Sequence, residues 1–204
     1  MRWLVLIFLL SGSVGVWAGG VLLIPENNPR PIYPRDLFRA GITGEVNVRL
    51  TVHADGSVDD VSILQSDHPG LAEAARTAVA QWRFKPWTVG ADKPARQEVT
   101  APMVFRLDRN TPIDANQWLK RLRCRDINEA VGYIPEYAWV DSAVFGYTRA
   151  YLSNVFHATQ LSNDQRLALI AQLNKRVPRI VRECRASPVR KYMSLLPEDI
   201  RTLI

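Results

Sequence analysis

At 204 residues with 47% apolar content, the chain can bury a real core in one domain or in two small ones. Its three histidines and two cysteines are too few and too scattered for a Cys/His-rich metal domain. The net charge of +6 favours acidic partners such as lipid headgroups, envelope polymers or nucleic acid, and the excess lies in the second half: up to Asp108 cations and anions each number 11, and from Arg109 onward they number 15 and 9.

The chain opens with Arg2, an uncharged apolar run from Trp3 to Leu10, and small residues ending in VWAGG. Val16 and Ala18 suit the small-residue rule for signal cleavage, so residues 1–18 are expected to be a signal peptide with a mature start near Gly19. An uncleaved inner-membrane anchor is the alternative, because no charge occurs from Trp3 to Ile24 and about 20 apolar residues span a bilayer. Export to an oxidising compartment makes a Cys124–Cys184 disulfide the expectation, and it argues against nucleic acid as a partner.

After the Pro-rich lead-in IPENNPRPIYP, the residues Val46, Val48, Leu50 and Val52 alternate with polar ones, the period of a half-buried strand. Asp55-Gly56 marks a tight hairpin turn, and the slip in alternation at Asp59-Asp60 predicts a β-bulge on the return strand. Pro69 suits a helix start, and Leu71, Ala74, Ala75, Ala78, Val79 and Trp82 share one helical face. The aromatic and basic stretch AVAQWRFKPW is therefore read as the end of that helix and its exit rather than as a binding patch, with Trp82 as the helix's last core residue. A further strand places Val99, Ala101, Met103, Phe105 and Leu107 on one face; Pro102 within it predicts a sheet edge or a bulge, and an edge can accept a partner's strand.

The segments PIYP, GITGEVNVRLTVHADGSVDDVSILQS, LAEAARTAVAQWRFKP and VTAPMVFRL, in that order and spacing, resemble the C-terminal domain of TonB proteins over roughly residues 29–108. The resemblance implies an α+β domain, a helix packed on a small antiparallel sheet, that binds outer-membrane transporters by pairing their peptide along the last strand. Pro31, Ile32, Tyr33 and Pro34 match the segment that helps contact the transporter, and Val99, Thr100, Ala101, Met103, Val104 and Phe105 match the pairing strand. For Tyr33 a packed aromatic beside the sheet is an equal reading. TonB energisers also carry a membrane helix with a Ser and a His and a long proline-rich spacer; here Ser11 and Ser13 stand without a His, and only about nine residues separate Ile24 from Tyr33, a reach of about 30 Å.

From Thr111 the pattern is helical, which makes residues 109–204 an expected all-α, disulfide-tied domain after a TonB-like domain at 19–108. Trp118, Leu119, Leu122, Ile127 and Val131 read as one loose helix carrying Cys124; SAVFGYTRAYLSNVF reads as a second; Ser162 and Gln165 form a capping box for a third, which Pro178 is expected to break or kink. Arg121, Arg125, Arg179 and Arg182, with Arg123, Arg176 and Arg185, form a basic surface, either solvated helix faces or a contact for an anionic envelope surface. Tyr133, Tyr137, Trp139, Phe145, Tyr147, Tyr151 and Phe156 are expected in the core.

No catalytic set is found: Asp59 and Asp60 are adjacent on a strand, His53, His68 and His157 are scattered, and no nucleophile or phosphate-loop motif occurs. The expectation is a non-enzymatic periplasmic adaptor of a Gram-negative bacterium without cofactor or metal, with a protein or peptide partner and a homodimer left open. The alternatives are a membrane-anchored energy transducer facing the periplasm and a structural envelope component.

Overall fold

A computed structural model describes residues 20–109, 111–153 and 161–204. The expected signal peptide or anchor, and Val155, Phe156 and His157, fall outside the described residues.

The first half is α+β. Strands β1 (Pro25–Asn27), β2 (Gly44–His53), β3 (Val58–Ser66), β4 (Arg83–Phe84) and β5 (Arg96–Phe105) accompany helices α1 (Arg35–Ala40) and α2 (Pro69–Val79). The main sheet is antiparallel in the order β3-β2-β5. Its apolar residues alternate as the sequence reads: Val46, Val48, Leu50 and Val52 of β2 are fully buried, against Leu71, Ala75 and Val79 of α2 and against Met103 and Phe105. At about 25 cal/mol per Å² of apolar surface, each such side chain contributes roughly 1.5–3 kcal/mol. The predicted bulge lies where expected: Arg49 pairs with Ser62 and Thr51 with Asp59, which leaves Asp60 at positive φ. A second register shift at Leu64 was not foreseen.

Helix α2 ends at Val79, so Trp82 lies beyond it. The Trp82 ring sits edge-on to Phe84, and its indole N–H donates to the Pro29 carbonyl at 3.0 Å. The Pro-rich lead-in is also more ordered than its composition implies: β1 pairs with β4, and the Lys85 amide donates to Ile24.

The second half is helical: α3 (Ala115–Arg121), α4 (Cys124–Val131), α5 (Ala143–Leu152), α6 (Asn163–Ala186) and α7 (Glu198–Arg201) surround a separate apolar cluster. The expected first helix is two helices. Leu122 and Arg123 are extended because the Tyr192 amide donates to the Leu122 carbonyl and the Cys124 amide to the Arg190 carbonyl, a strand-like bridge stronger than helical continuation here. Cys124 and Cys184 are bonded, joining α4 to α6; closing a loop of this length constrains the unfolded chain by about 4 kcal/mol. Helix α6 starts at the predicted Ser162–Gln165 capping box and runs on through Pro178 without a break, so RIVREC is its continuation rather than a separate turn. Trp139 and Phe145 are buried as expected, whereas Tyr133 and Tyr137 are exposed on the segment after α4.

Candidate functional site

β5 is an outer strand of the main sheet, and the register fixes which of its backbone groups are free. Ala54 N–H donates to the Ala95 carbonyl, and Ala54 stands opposite Ala95 in the same register that pairs Leu50 with Val99, Val48 with Ala101 and Val46 with Met103. Hydrogen-bonded pairs alternate along an antiparallel ladder, so Val99, Ala101, Met103 and Phe105 direct both backbone groups at β2. Glu98, Thr100, Pro102 and Val104 direct theirs away from the sheet. The bond from Asp67 N–H to Glu45 O gives the same phase from the other side of β2, since Glu45 turns toward β3 and its opposite residue, Val104, turns outward. Pro102 therefore withdraws no bond from the ladder and one donor from the free edge, which explains its tolerance inside a ten-residue strand.

Of the predicted pairing residues, Thr100 and Val104 carry outward amides. Val99, Ala101, Met103 and Phe105 have theirs committed to β2 and their side chains on the core face. Val104 is 39% exposed, and its outward carbonyl accepts from the Arg109 guanidinium at 2.7 Å.

The C-terminal half of β5 borders a groove of about 600 Å³. One side is Pro102–Leu107 with Asn28–Pro31 and Tyr33; the other is Asp141, Ala143, Gly146 and Tyr147 of the helical half. The predicted contact segment divides in two. Ile32 is 87% exposed and lines a different groove, against α1 and α2, whereas Tyr33 is half-buried: its hydroxyl donates to the Ile42 carbonyl at 2.5 Å, and its ring stands edge-on to Phe38 and Phe105, each 5.4 Å away. Burial pushes its hydroxyl up to about 12, so Tyr33 is neutral and locked in place.

Sequence reasoning missed the contacts that set the groove's two sides against each other. Arg166, which is 8% exposed, donates to the Gly41 carbonyl at 2.6 Å, to Ser153 Oγ at 3.0 Å and to Asn163 Oδ1 at 2.6 Å. Asn174 Nδ2 donates to the Arg39 carbonyl at 2.7 Å, so two side chains of α6 cap the C-terminal end of α1. Arg149 is fully buried, lies 5.5 Å from the Phe38 ring centroid, and donates to the Val140 carbonyl and Asn174 Oδ1. Burial lowers its guanidinium to about 10, still charged at neutral pH. Asp141 accepts from both Arg35 and Arg39, and the Arg39 hydrogen bond, ahead of Arg35, lowers its carboxyl to about 2. A signal for Arg149 existed: it follows Phe145 by four residues and precedes Leu152 by three, on the apolar face of α5. Asp141 and Asn174 carry no comparable signal.

Four arginines of the basic surface are exposed and engaged with neighbouring carboxylates: Arg121 with Asp114, Arg125 with Asp126, Arg179 with Glu183 and Arg182 with Glu136. Exposed pairs of this kind hold their partners weakly. Among the described residues no group of His, Cys, Asp and Glu is placed to hold a metal, and no helix is long and apolar enough to cross a membrane.

The first half is thus an α+β module whose sheet ends in an outer strand, β5, bordered by a groove. Residues 29–107 match the family described as Gram-negative bacterial TonB protein C-terminal, and this segment is a TonB C-terminal domain. The chain is 36% identical over 80 residues to Protein TonB of Pseudomonas aeruginosa, covering 39% of this chain and 23% of that protein. It is 40% identical over 84 residues to Protein TonB of Xanthomonas campestris pv. campestris, covering 41% of this chain and 37% of that protein. The match thus spans well under half the length of these relatives. Among solved structures, the solution NMR structure of the Pseudomonas aeruginosa TonB C-terminal domain is 31% identical with a TM-score of 0.38, covering 45% of this chain and 96% of that one. That of Helicobacter pylori is 29% identical with a TM-score of 0.29, covering 37% and 67%.

Proposed function

We propose that the chain is an envelope adaptor that captures an extended protein segment by adding it as a strand to the free edge of β5. The observation that carries this is the outward backbone of Glu98, Thr100 and Val104, aligned along an edge with the groove at its end. Main-chain bonds to such an edge supply affinity, and the groove beside it supplies selectivity. The partner fitting the TonB relationship is the periplasm-facing terminal segment of an outer-membrane transporter, and the protein works in the periplasm of a Gram-negative cell. The exposed arginines of the helical half offer a secondary contact to anionic envelope surfaces, through pairs weak enough to exchange.

The test is fluorescence anisotropy with synthetic terminal peptides of outer-membrane transporters. Val104→Pro removes an outward donor and no ladder bond, so it should leave thermal stability within about 1 kcal/mol of the parent and weaken peptide binding at least tenfold. Unchanged binding counts against edge pairing.

A second reading, a membrane-anchored transducer in transporter energisation, is favoured by the uncharged run from Trp3 to Ile24. Fractionation with sequencing of the mature N-terminus separates the two: a soluble product beginning near Gly19 supports the adaptor, and an inner-membrane chain retaining residues 1–18 supports the transducer.

A further inference from the structure

The groove at the end of β5 is not built by the TonB-like half alone. Its far wall is Ala143, Gly146 and Tyr147 of α5, with Asp141 just before that helix. The wall is held rigidly: Arg166 and Asn174 cap α1, and Arg149 rests on Phe38, whose ring contacts Tyr33, which contacts Phe105 at the end of β5. A path of packed side chains therefore runs from the helical core to the end of the edge strand.

Two observations say what the space between the walls admits. A Cβ built on Gly146 would meet no heavy atom within 4 Å, so the middle of α5 is open at the groove. Glycine inside a helix costs about 1 kcal/mol relative to alanine, so this gap is kept against the helix's own preference. The groove's charge is one-sided as well. Asp141, its one lining carboxylate among the described residues, is saturated by Arg35 and Arg39, and Arg106 is paired with Asp108. Arg30 and Arg109 have no ion pair within 4 Å among the described residues; Arg109 donates to the Val104 carbonyl and lies within electrostatic reach of Asp108, whose carboxylate is bonded to Arg106. An added strand that donates an N–H to that carbonyl shares or displaces the Arg109 bond, and the guanidinium has further donors for a new acceptor.

We propose that the helical half is the second wall of the peptide groove, which admits the captured segment over Gly146 and selects an extended peptide carrying carboxylate side chains for Arg30 and Arg109. This rests on the edge-capture reading, since a segment that does not pair with β5 has no reason to lie between these walls.

The experiment uses the full, oxidised chain and a displayed library of random ten-residue peptides, followed by anisotropy titrations of the selected peptides. Enrichment of Asp and Glu is expected, with affinity falling several-fold in Arg30→Gln and falling with salt. Gly146→Trp, whose Cβ meets no existing heavy atom within 4 Å and whose ring adds bulk at the groove, should weaken binding by about tenfold or more while circular dichroism and melting temperature hold; should the tryptophan variant fold poorly, Gly146→Leu carries the same test. Parental affinity in the Gly146 variant together with lost binding in Val104→Pro overturns the second wall and leaves edge capture standing. Selected peptides without acidic enrichment overturn the charge selection. A library that yields no binder overturns edge capture and this inference with it.

Discussion

Arg166→Ala isolates the clamp between the two halves. The guanidinium makes three hydrogen bonds, and they are not equal. Ser153 and Asn163 lie near the surface and recover water when it is lost, at a cost of under about 1 kcal/mol each. Gly41 is buried, so its carbonyl loses a charge-assisted donor with little replacement, about 1–3 kcal/mol. The arginine's buried stem adds about 1 kcal/mol of packing. Recovery of the desolvation cost of the charge offsets part of this, leaving a net loss of about 3 kcal/mol, or roughly 6–12 °C in melting temperature for a chain of this size. The assay is urea unfolding with fluorine-labelled tryptophan followed by NMR: Trp82 and Trp87 report on the TonB-like half, Trp118 and Trp139 on the helical half. The parent should lose all four signals in one transition, and Arg166→Ala should lose them in two. A change under about 0.5 kcal/mol with one shared transition refutes the clamp.

Other consequences of the structure are open to measurement. Gly41→Ala places a Cβ at φ 75° against the Ile170 side chain and should destabilise by about 1–3 kcal/mol in denaturant titration, more than Gly90→Ala, where nothing lies within 4 Å. Reducing Cys124–Cys184, or replacing both with serine, should cost about 2–4 kcal/mol and lower the midpoint of the helical reporters most. Asp141 titrates near 2 in the folded chain against an ordinary value of 3.8, so its contribution is complete above about pH 4 and is lost as pH falls toward 2; stability in Asp141→Asn should fall less steeply across that window than in the parent.

The core of the TonB-like half was legible because its signals are local. The alternation of Val46 to Val52 and the Asp55-Gly56 turn survive into the structure because one buried face fixes the register. Pro102 narrows β5 to an edge or a bulge, since proline in a central strand costs a ladder bond, and the unbroken register with β2 decides for the edge. What was not legible depends on distant partners. The break at Leu122–Arg123 is made by residues 190–192, and the continuity of α6 through Pro178 is supported by packing of Val177, Ile180 and Val181 in the core, which outweighs the local preference of proline. Tyr133 and Tyr137 were assigned to the core on composition, but their segment turns through a short 3-10 helix that buries Trp139 instead. The groove was half-legible: its β5 side follows from the strand, whereas Asp141 and Gly146 become relevant only after the two halves meet.

The central claim is that the free edge of β5 is where a partner strand is laid, and backbone hydrogen exchange by NMR reads it residue by residue. In the free chain the amides of Val99, Ala101 and Met103 should be protected, and those of Glu98, Thr100 and Val104 should exchange rapidly. Saturation with a bound transporter-terminal or library-selected peptide should protect the second set and leave the first unchanged. Tight peptide binding with Glu98, Thr100 and Val104 still exchanging at their free rates contradicts the account.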